Sequence, residues 1–401
     1  MTTSDSGPTF AGSRLSDSSD DQAPIVIIGT GLSGYSLARE IRKLDKETPL
    51  LLITADDGHS YSKPMLSTGF TKAKTADQLS MADPGKMAEQ LSLGVRTFTT
   101  VTGIDADQHV VRIGDEELKY SKLVIAWGAD IVQLNIPGSG TDKIFSINDL
   151  ADYRRFRESL NGKQRILIMG AGLIGCEFAN DLKIGGYDVD VVAPSETALT
   201  GLLPHEAGSA VADGLSEAGV RFHFGKTVNQ VDAQDNGVVA TLDDCTVIQA
   251  DIVISAVGLN PRTALAKNAG LQVNKGIVVD RLLETSEKDV FALGDCAEVD
   301  GRVMLYVLPL MACARALAKT LTGLPTEVSY GVMPVATKTP ACPAVVLPPQ
   351  PGSPGEWDVE REGHNVKALF TSPDGVLLGF ALTGDCVAEK QALSKRVPGI
   401  H

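Results

Sequence analysis

The sequence predicts an α/β protein built from two dinucleotide-binding units and a smaller mixed α/β domain at the C-terminal end. Three observations carry this: a glycine-rich strand–turn–helix near the start, a second copy further on, and a change of character after Pro325. In the first copy, Ile25-Val-Ile-Ile reads as a buried parallel strand. The turn Gly29-Thr30-Gly31-Leu32-Ser-Gly34 and a helix over about 35–44 follow. Gly29 lets the chain turn, Gly31 lets backbone approach a pyrophosphate, and Gly34 lets helix and strand pack closely. The helix N-terminus adds N–H donors and a positive dipole end. The next strand, over 50–54, should end at an acid that binds ribose hydroxyls, and Asp56 and Asp57 stand there.

The second copy reads Ile166-Leu-Ile-Met-Gly170-Ala-Gly172-Leu173-Ile174-Gly175-Cys176-Glu177. Its helix (about 173–185) and next strand (189–193) repeat the first unit at nearly the same spacing. One dinucleotide needs one such fingerprint, so two Rossmann-like units imply two nucleotide cofactors.

Between the copies, Pro64 should fix a turn and keep Lys63 extended. A helix is expected over 80–94, strands over 95–101 and 110–113, a strand running into Trp127-Gly128, and a linking helix over 150–160. After the second copy come a helix near 206–218, a strand over 220–224, and two strands spanning 228–248. The run to Ala256-Val257-Gly258, a strand ending at Gly294-Asp295, and a helix over 310–321 follow. Beyond Pro325 prolines cluster at 334, 340, 343, 348, 349, 351 and 354, with strands at 366–370 and 376–382 and a helix over about 387–395.

A chain of 401 residues has room for two or three domains. The first 23 residues are rich in Ser, Asp and Gly and lack an apolar run, which points to a flexible tail rather than a signal peptide. No stretch approaches the ~18–20 apolar residues that span a bilayer, so no membrane insertion is expected and the cytoplasm is the default. A net charge of −14 argues against nucleic acid and anionic membranes as partners. The six cysteines show no CxxC or metal-like spacing, so neither a disulfide framework nor a zinc site is indicated.

The two fingerprints, Trp127-Gly128, Ala256-Val257-Gly258 and Gly294-Asp295, in that order, resemble the FAD-dependent pyridine-nucleotide oxidoreductases over roughly residues 24–400. The resemblance implies an FAD-binding domain from 24–136 and 257–328, with an NAD-binding domain, 137–256, inserted within it. A C-terminal domain, 329–401, closes over the flavin. The stretches ITADDGHSYSKPMLSTGF, MGAGLIGCEFANDL, ALGDCAEVDG and MPVATKTPACPAVV further resemble the bacterial rubredoxin reductases. These are NADH-dependent flavoproteins that pass electrons singly to the iron of rubredoxin.

Carried over by position, Gly29, Thr30, Gly31, Leu32 and Gly34 surround the FAD pyrophosphate, and Asp56 lies near the adenosine ribose. Val101 reads the adenine edge through its backbone, Asp295 bonds a ribityl hydroxyl, and Val307 runs under the flavin's pyrimidine end. Lys63 and Lys338 flank the isoalloxazine, where fixed cations stabilise the charge that reduction builds. Glu177 lies near nicotinamide and flavin, where it could pair with Lys63. Gly170, Gly172, Leu173, Ile174, Gly175 and Gly258 hold NADH. Ala193-Pro194-Ser195-Glu196 offers no cation for a 2′-phosphate before Lys226, which favours NADH over NADPH, with Glu196 a few residues later than the usual acid.

Disulfide reductases of this superfamily need a cysteine pair that is missing here. Leu66-Ser67-Thr68-Gly69 stands where peroxidases carry Leu-Ser-Cys-Gly, and a threonine cannot cycle through sulfenic acid. Electrons should therefore leave the flavin directly for an external carrier. Rubredoxin is expected to dock near Lys63, Lys338, Lys390, Lys395 and Arg396, and to serve an alkane hydroxylase or an oxygen-detoxifying chain. A ferredoxin reductase of an oxygenase system and an NADH-sensing flavoprotein stand as alternatives.

Overall fold

The computed structural model describes residues 23–399, so the expected tail lies outside the described residues except for Ala23. Two five-stranded parallel sheets dominate, alike in four of their strands but with the outer strand supplied last in sequence in the first and first in sequence in the second. The first runs Val290–Ala292, Lys122–Ile125, Ile25–Ile28, Leu50–Ile53, Gly94–Arg96. The second runs Ile144–Phe145, Ile252–Ser255, Arg165–Met169, Asp188–Ala193, Val220–Phe224. The central strands are fully buried on both faces, which is why they read as unbroken aliphatic runs. The first sheet is completed by a strand from beyond the second. The two crossings between them pair as a short antiparallel ribbon, Ala129–Ile131 with Leu259–Pro261.

The second sheet is pinned at its start by Asp251. Its carboxylate accepts the backbone N–H of Gln164 (2.9 Å) and Arg165 (2.8 Å) and the Arg165 guanidinium (2.8 Å). Burial raises the Asp251 pKa, but these donors outweigh it and hold the carboxyl at about 2. The folded value lies below the ~3.9 of an unfolded aspartate. The resulting stabilisation, about 2 kcal/mol, is present above that value and lost as pH falls toward 2. Urea midpoints of the unaltered chain and Asp251→Asn should therefore differ at pH 7 and converge in acid. A difference that does not change with pH would rule this out.

The C-terminal sheet is antiparallel, in the order Val335–Ala336, Ala344–Leu347, Leu377–Thr383, Asn365–Thr371, Glu356–Glu362. Alternation sends Val346, Val366, Ala368 and Ala381 into the core shared with the second unit. Val345, Leu347, Phe380 and Leu382 face the other way, with Leu393.

Several expectations shift. The helix expected over 80–94 is a strand, Ser80–Ala82, then a helix, Pro84–Leu91, then the edge strand Gly94–Arg96. Pro84 at the first helical turn, capped by Asp83, starts that helix late. Lys63 is not in an extended segment; it opens the 3₁₀ turn Lys63–Thr68, with Pro64 in the first turn. Three strands, not two, fill 228–250. The helix expected over 310–321 begins at Val307, because a proline inside the first turn costs no hydrogen bond.

Candidate active site: two glycine cradles on one cavity

Both fingerprints fold into the same cradle. Gly29 and Gly170 have φ of +117° and +105°, and a Cβ on them would meet the carbonyl oxygens of Ala126 (2.4 Å) and Ala256 (2.6 Å). A Cβ on Gly34 or Gly175 would fall 1.9 Å from the oxygen of Gly29 or Gly170. Gly31 and Gly172 differ, since a Cβ there would meet no protein atom within 4 Å. The open space beside them is where a pyrophosphate fits. The helices that follow, Leu32–Leu44 and Leu173–Ile184, have no capping side chain and no acid in the first turn. Their free N–H groups and dipoles suit a bound anion.

One cavity of about 1520 Å³ joins the two cradles. Gly29, Thr30, Gly31, Leu32, Asp56, Lys63, Val101, Gly170, Gly172, Leu173, Ile174, Glu177, Gly258, Asp295, Val307 and Lys338 all line it. Gly34 and Gly175 lie outside the lining, in the helix–strand contact their spacing implies. Glu196 is the exception among the expected site residues. It is exposed and does not line the cavity, because the turn presents Pro194 and Ser195 there instead.

Asp56 Oδ1 accepts from Thr54 Oγ1 (2.6 Å), Gly58 N–H (2.9 Å) and Thr30 Oγ1 (3.3 Å). This fixes the carboxylate and leaves Oδ2 for a ribose hydroxyl. Asp295 makes no hydrogen bond within the described residues. Burial raises its pKa, and only Lys63 Nζ, 3.9 Å away, opposes this. A half-buried acceptor of that kind fits a polyhydroxyl chain. In the same cavity, Leu305, Tyr306, Val307, Leu308, Ile174 and Val257 keep exposed apolar surface, which suits planar ring systems.

The charged centre departs from expectation. Glu177 is fully buried, and it pairs with Lys338 rather than Lys63. The Lys338 ammonium and the Ser67 hydroxyl (2.6 Å) both donate to Oε2, while Lys338 N–H donates to Oε1 (3.0 Å). Lys63 points to a different set of partners. Its Nζ donates to Asn148 Oδ1 at 2.7 Å, and Asn148 Nδ2 in turn donates to the Ala129 carbonyl at 3.0 Å. Burial lowers the Lys63 pKa, with Asp295 opposing. The sequence does not mark Ser67 as a partner of Glu177 or Asn148 as a partner of Lys63, since these pairs are 110 and 85 residues apart. Arg262 also lines the cavity, held by Asp130 (2.5 Å) and the Trp127 carbonyl (2.8 Å). Lys390 lines it too, with no hydrogen-bond or ion-pair partner among the described residues.

The cysteines near the cradles are packing groups. Burial pushes the Cys176 and Cys296 thiols up to about 12, far from reactive thiolates.

Comparison with known proteins agrees with this geometry. Residues 23–313 match the family described as pyridine nucleotide-disulphide oxidoreductase, and residues 327–397 match the rubredoxin binding C-terminal domain. The chain is 56% identical over 378 residues to a rubredoxin-NAD(+) reductase of Alcanivorax borkumensis, covering 94% of this chain and 99% of that one. A rubredoxin-NAD(+) reductase of Acinetobacter baylyi is 44% identical over 388 residues, covering 94% and 98%. The crystal structure of a ferredoxin reductase from Rhodopseudomonas palustris has the same fold, with a TM-score of 0.83 at 24% identity over 94% of this chain and 96% of that one. This chain belongs to the pyridine nucleotide-disulphide oxidoreductases and, within them, to the rubredoxin-NAD(+) reductase family.

Proposed function

We infer that this protein is an FAD-dependent NADH:rubredoxin reductase. One observation carries the reading: a single cavity joins both glycine cradles, and the C-terminal segment that matches a rubredoxin-binding domain delivers Lys338 into it. A bound FAD would supply hydride acceptance and one-electron release, and the first cradle with Asp56 and Asp295 would hold it.

The chain's own residues bind, orient and tune. Residues 24–136 and 257–328 form the FAD-binding part, 137–256 the NADH-binding part, and 329–401 the part that closes over the flavin and meets rubredoxin. Gly29, Thr30, Gly31 and Leu32 hold the FAD pyrophosphate, with Asp56 on the adenosine ribose and Asp295 on the ribityl chain. Val101 borders the adenine, and Val307 underlies the flavin's pyrimidine end. Gly170, Gly172, Leu173, Ile174 and Gly258 hold NADH, and Gly34 and Gly175 keep the two cradles closed. Lys63 and Lys338 set positive charge beside the flavin, each aimed by its own partners: Asn148 and Asp295 for Lys63, Glu177 for Lys338. Lys390, at the cavity wall and without an ion-pair partner among the described residues, suits an acidic carrier, with exposed Lys395 and Arg396 beyond it. The reaction is assigned to the cytoplasm, which supplies NADH.

The test is cytochrome c reduction by NADH and purified holo-protein, with rubredoxin, with a plant-type ferredoxin, and with neither. Fast turnover with rubredoxin alone is the expected result. Equal or better turnover with ferredoxin would move the protein to the oxygenase-reductase reading. Slow turnover with both would favour the sensor.

A further inference from the structure

At the end of the strand Asp188–Ala193 the cavity wall is Ala193, Pro194 and Ser195, and no charged side chain joins the lining there. Enzymes of this fold tell a 2′-hydroxyl from a 2′-phosphate at this place by charge. The wall itself offers no carboxylate to the first and no cation to the second. A cation is nevertheless strapped alongside it. Gly225 N–H donates to the Ser195 carbonyl (3.0 Å) and Lys226 N–H to the Ala193 carbonyl (3.1 Å), so the 225–226 turn follows the 193–195 turn.

The Lys226 ammonium is drawn the other way. Its Nζ lies 2.5 Å from Asp244 Oδ2 and 3.4 Å from Thr246 Oγ1. Asp244 occupies the hairpin tip between Gly237–Leu242 and Val247–Ala250, where its Oδ1 accepts the Thr246 N–H at 2.9 Å. The bond from Lys226 holds the Asp244 carboxyl well below the usual carboxylate range, so Asp244 carries its negative charge beside the ammonium.

We propose that the Lys226–Asp244 pair is the coenzyme-selectivity element of this protein. Asp244 both occupies the one cation strapped to the ribose-end turn and places a negative charge beside it. A 2′-phosphate at the Ala193–Ser195 turn thus meets no charged side chain in the cavity lining there among the described residues, and NADH is used. Removing the Asp244 charge releases an ammonium on a flexible four-carbon stem, which then takes the phosphate as a charge-assisted hydrogen-bond partner. The inference rests on the reading that the nicotinamide coenzyme occupies the second cradle.

Asp244→Asn isolates the charge, because asparagine keeps an oxygen for the Thr246 N–H. The holo-protein is assayed with NADH and ferricyanide, using 5′-AMP and 2′,5′-ADP as competitors, and NADPH is tried as a substrate. In Asp244→Asn the inhibition constant of 2′,5′-ADP should fall about tenfold and kcat/KM for NADPH should rise about as much. The constants for 5′-AMP and NADH should hold still. Adding Lys226→Met should restore the original discrimination. An unmoved 2′,5′-ADP constant, with 5′-AMP still competing, overturns the proposal, as does a gain that survives Lys226→Met. If 5′-AMP does not compete with NADH in the unaltered protein, the assignment of the second cradle falls and the proposal with it.

Discussion

Lys338→Met is expected to lower the unfolding free energy by about 3–5 kcal/mol, and Glu177→Gln in the same chain to return most of it. Glu177 is fully buried, and its carboxylate is neutralised by one ammonium, that of Lys338. Methionine keeps the length of the side chain and the backbone N–H bond to Oε1, but it leaves a buried charge uncompensated. Glutamine then removes that charge and can still accept from Ser67. Chemical denaturation of the single and double variants at pH 7 checks this. If both lose the same stability, the ion pair is not what Glu177 requires. On the proposed placement of Lys338 beside the flavin, the flavin's midpoint potential should also fall in Lys338→Met, because a fixed cation is removed.

The second large effect separates the two kinds of glycine in the first cradle. Gly34→Ala is expected to disrupt folding, by about 3 kcal/mol or more, because its Cβ would sit 1.9 Å from a backbone oxygen that cannot rotate away. Gly31→Ala should fold normally. Its backbone, φ −64° and ψ −170°, is open to any residue, and no protein atom opposes a Cβ there. The methyl group instead stands in the space assigned to the pyrophosphate. Gly31→Ala should therefore purify with an intact melting transition and a deficit of bound flavin, read from the visible absorbance per chain. Normal flavin content in Gly31→Ala would mean that the pyrophosphate lies elsewhere.

The cradles were legible because each is local. Strand, three glycines and helix lie within some twenty residues, and the geometry of each glycine follows from its place in the turn. The charged centre was only half legible. Lys63, Glu177 and Lys338 were found by family position, but their pairing was not. Which lysine reaches Glu177 depends on how the segment before Ala344–Leu347 enters the C-terminal sheet, and periodicity says nothing of that. Glu196 was chosen by its charge and its nearness in sequence, while the turn turned Ser195 inward. The strand Glu356–Glu362 escaped notice because an edge strand tolerates charge on most of its residues, and Glu-Trp-Asp-Val-Glu-Arg-Glu reads as loop.

The position of Val290–Ala292 in the first sheet has a consequence for biosynthesis. The second sheet draws all its strands from one continuous stretch, Ile144 to Ser255, and can close as soon as that stretch leaves the ribosome. The first sheet waits beside Lys122–Ile125 for a partner made more than a hundred residues later. The unit whose cradle is translated first is thus completed after the second. A nascent chain halted before Val290 would present a closed second sheet beside a first sheet whose Lys122–Ile125 edge is still open, so the first cradle reaches its final setting only late in maturation.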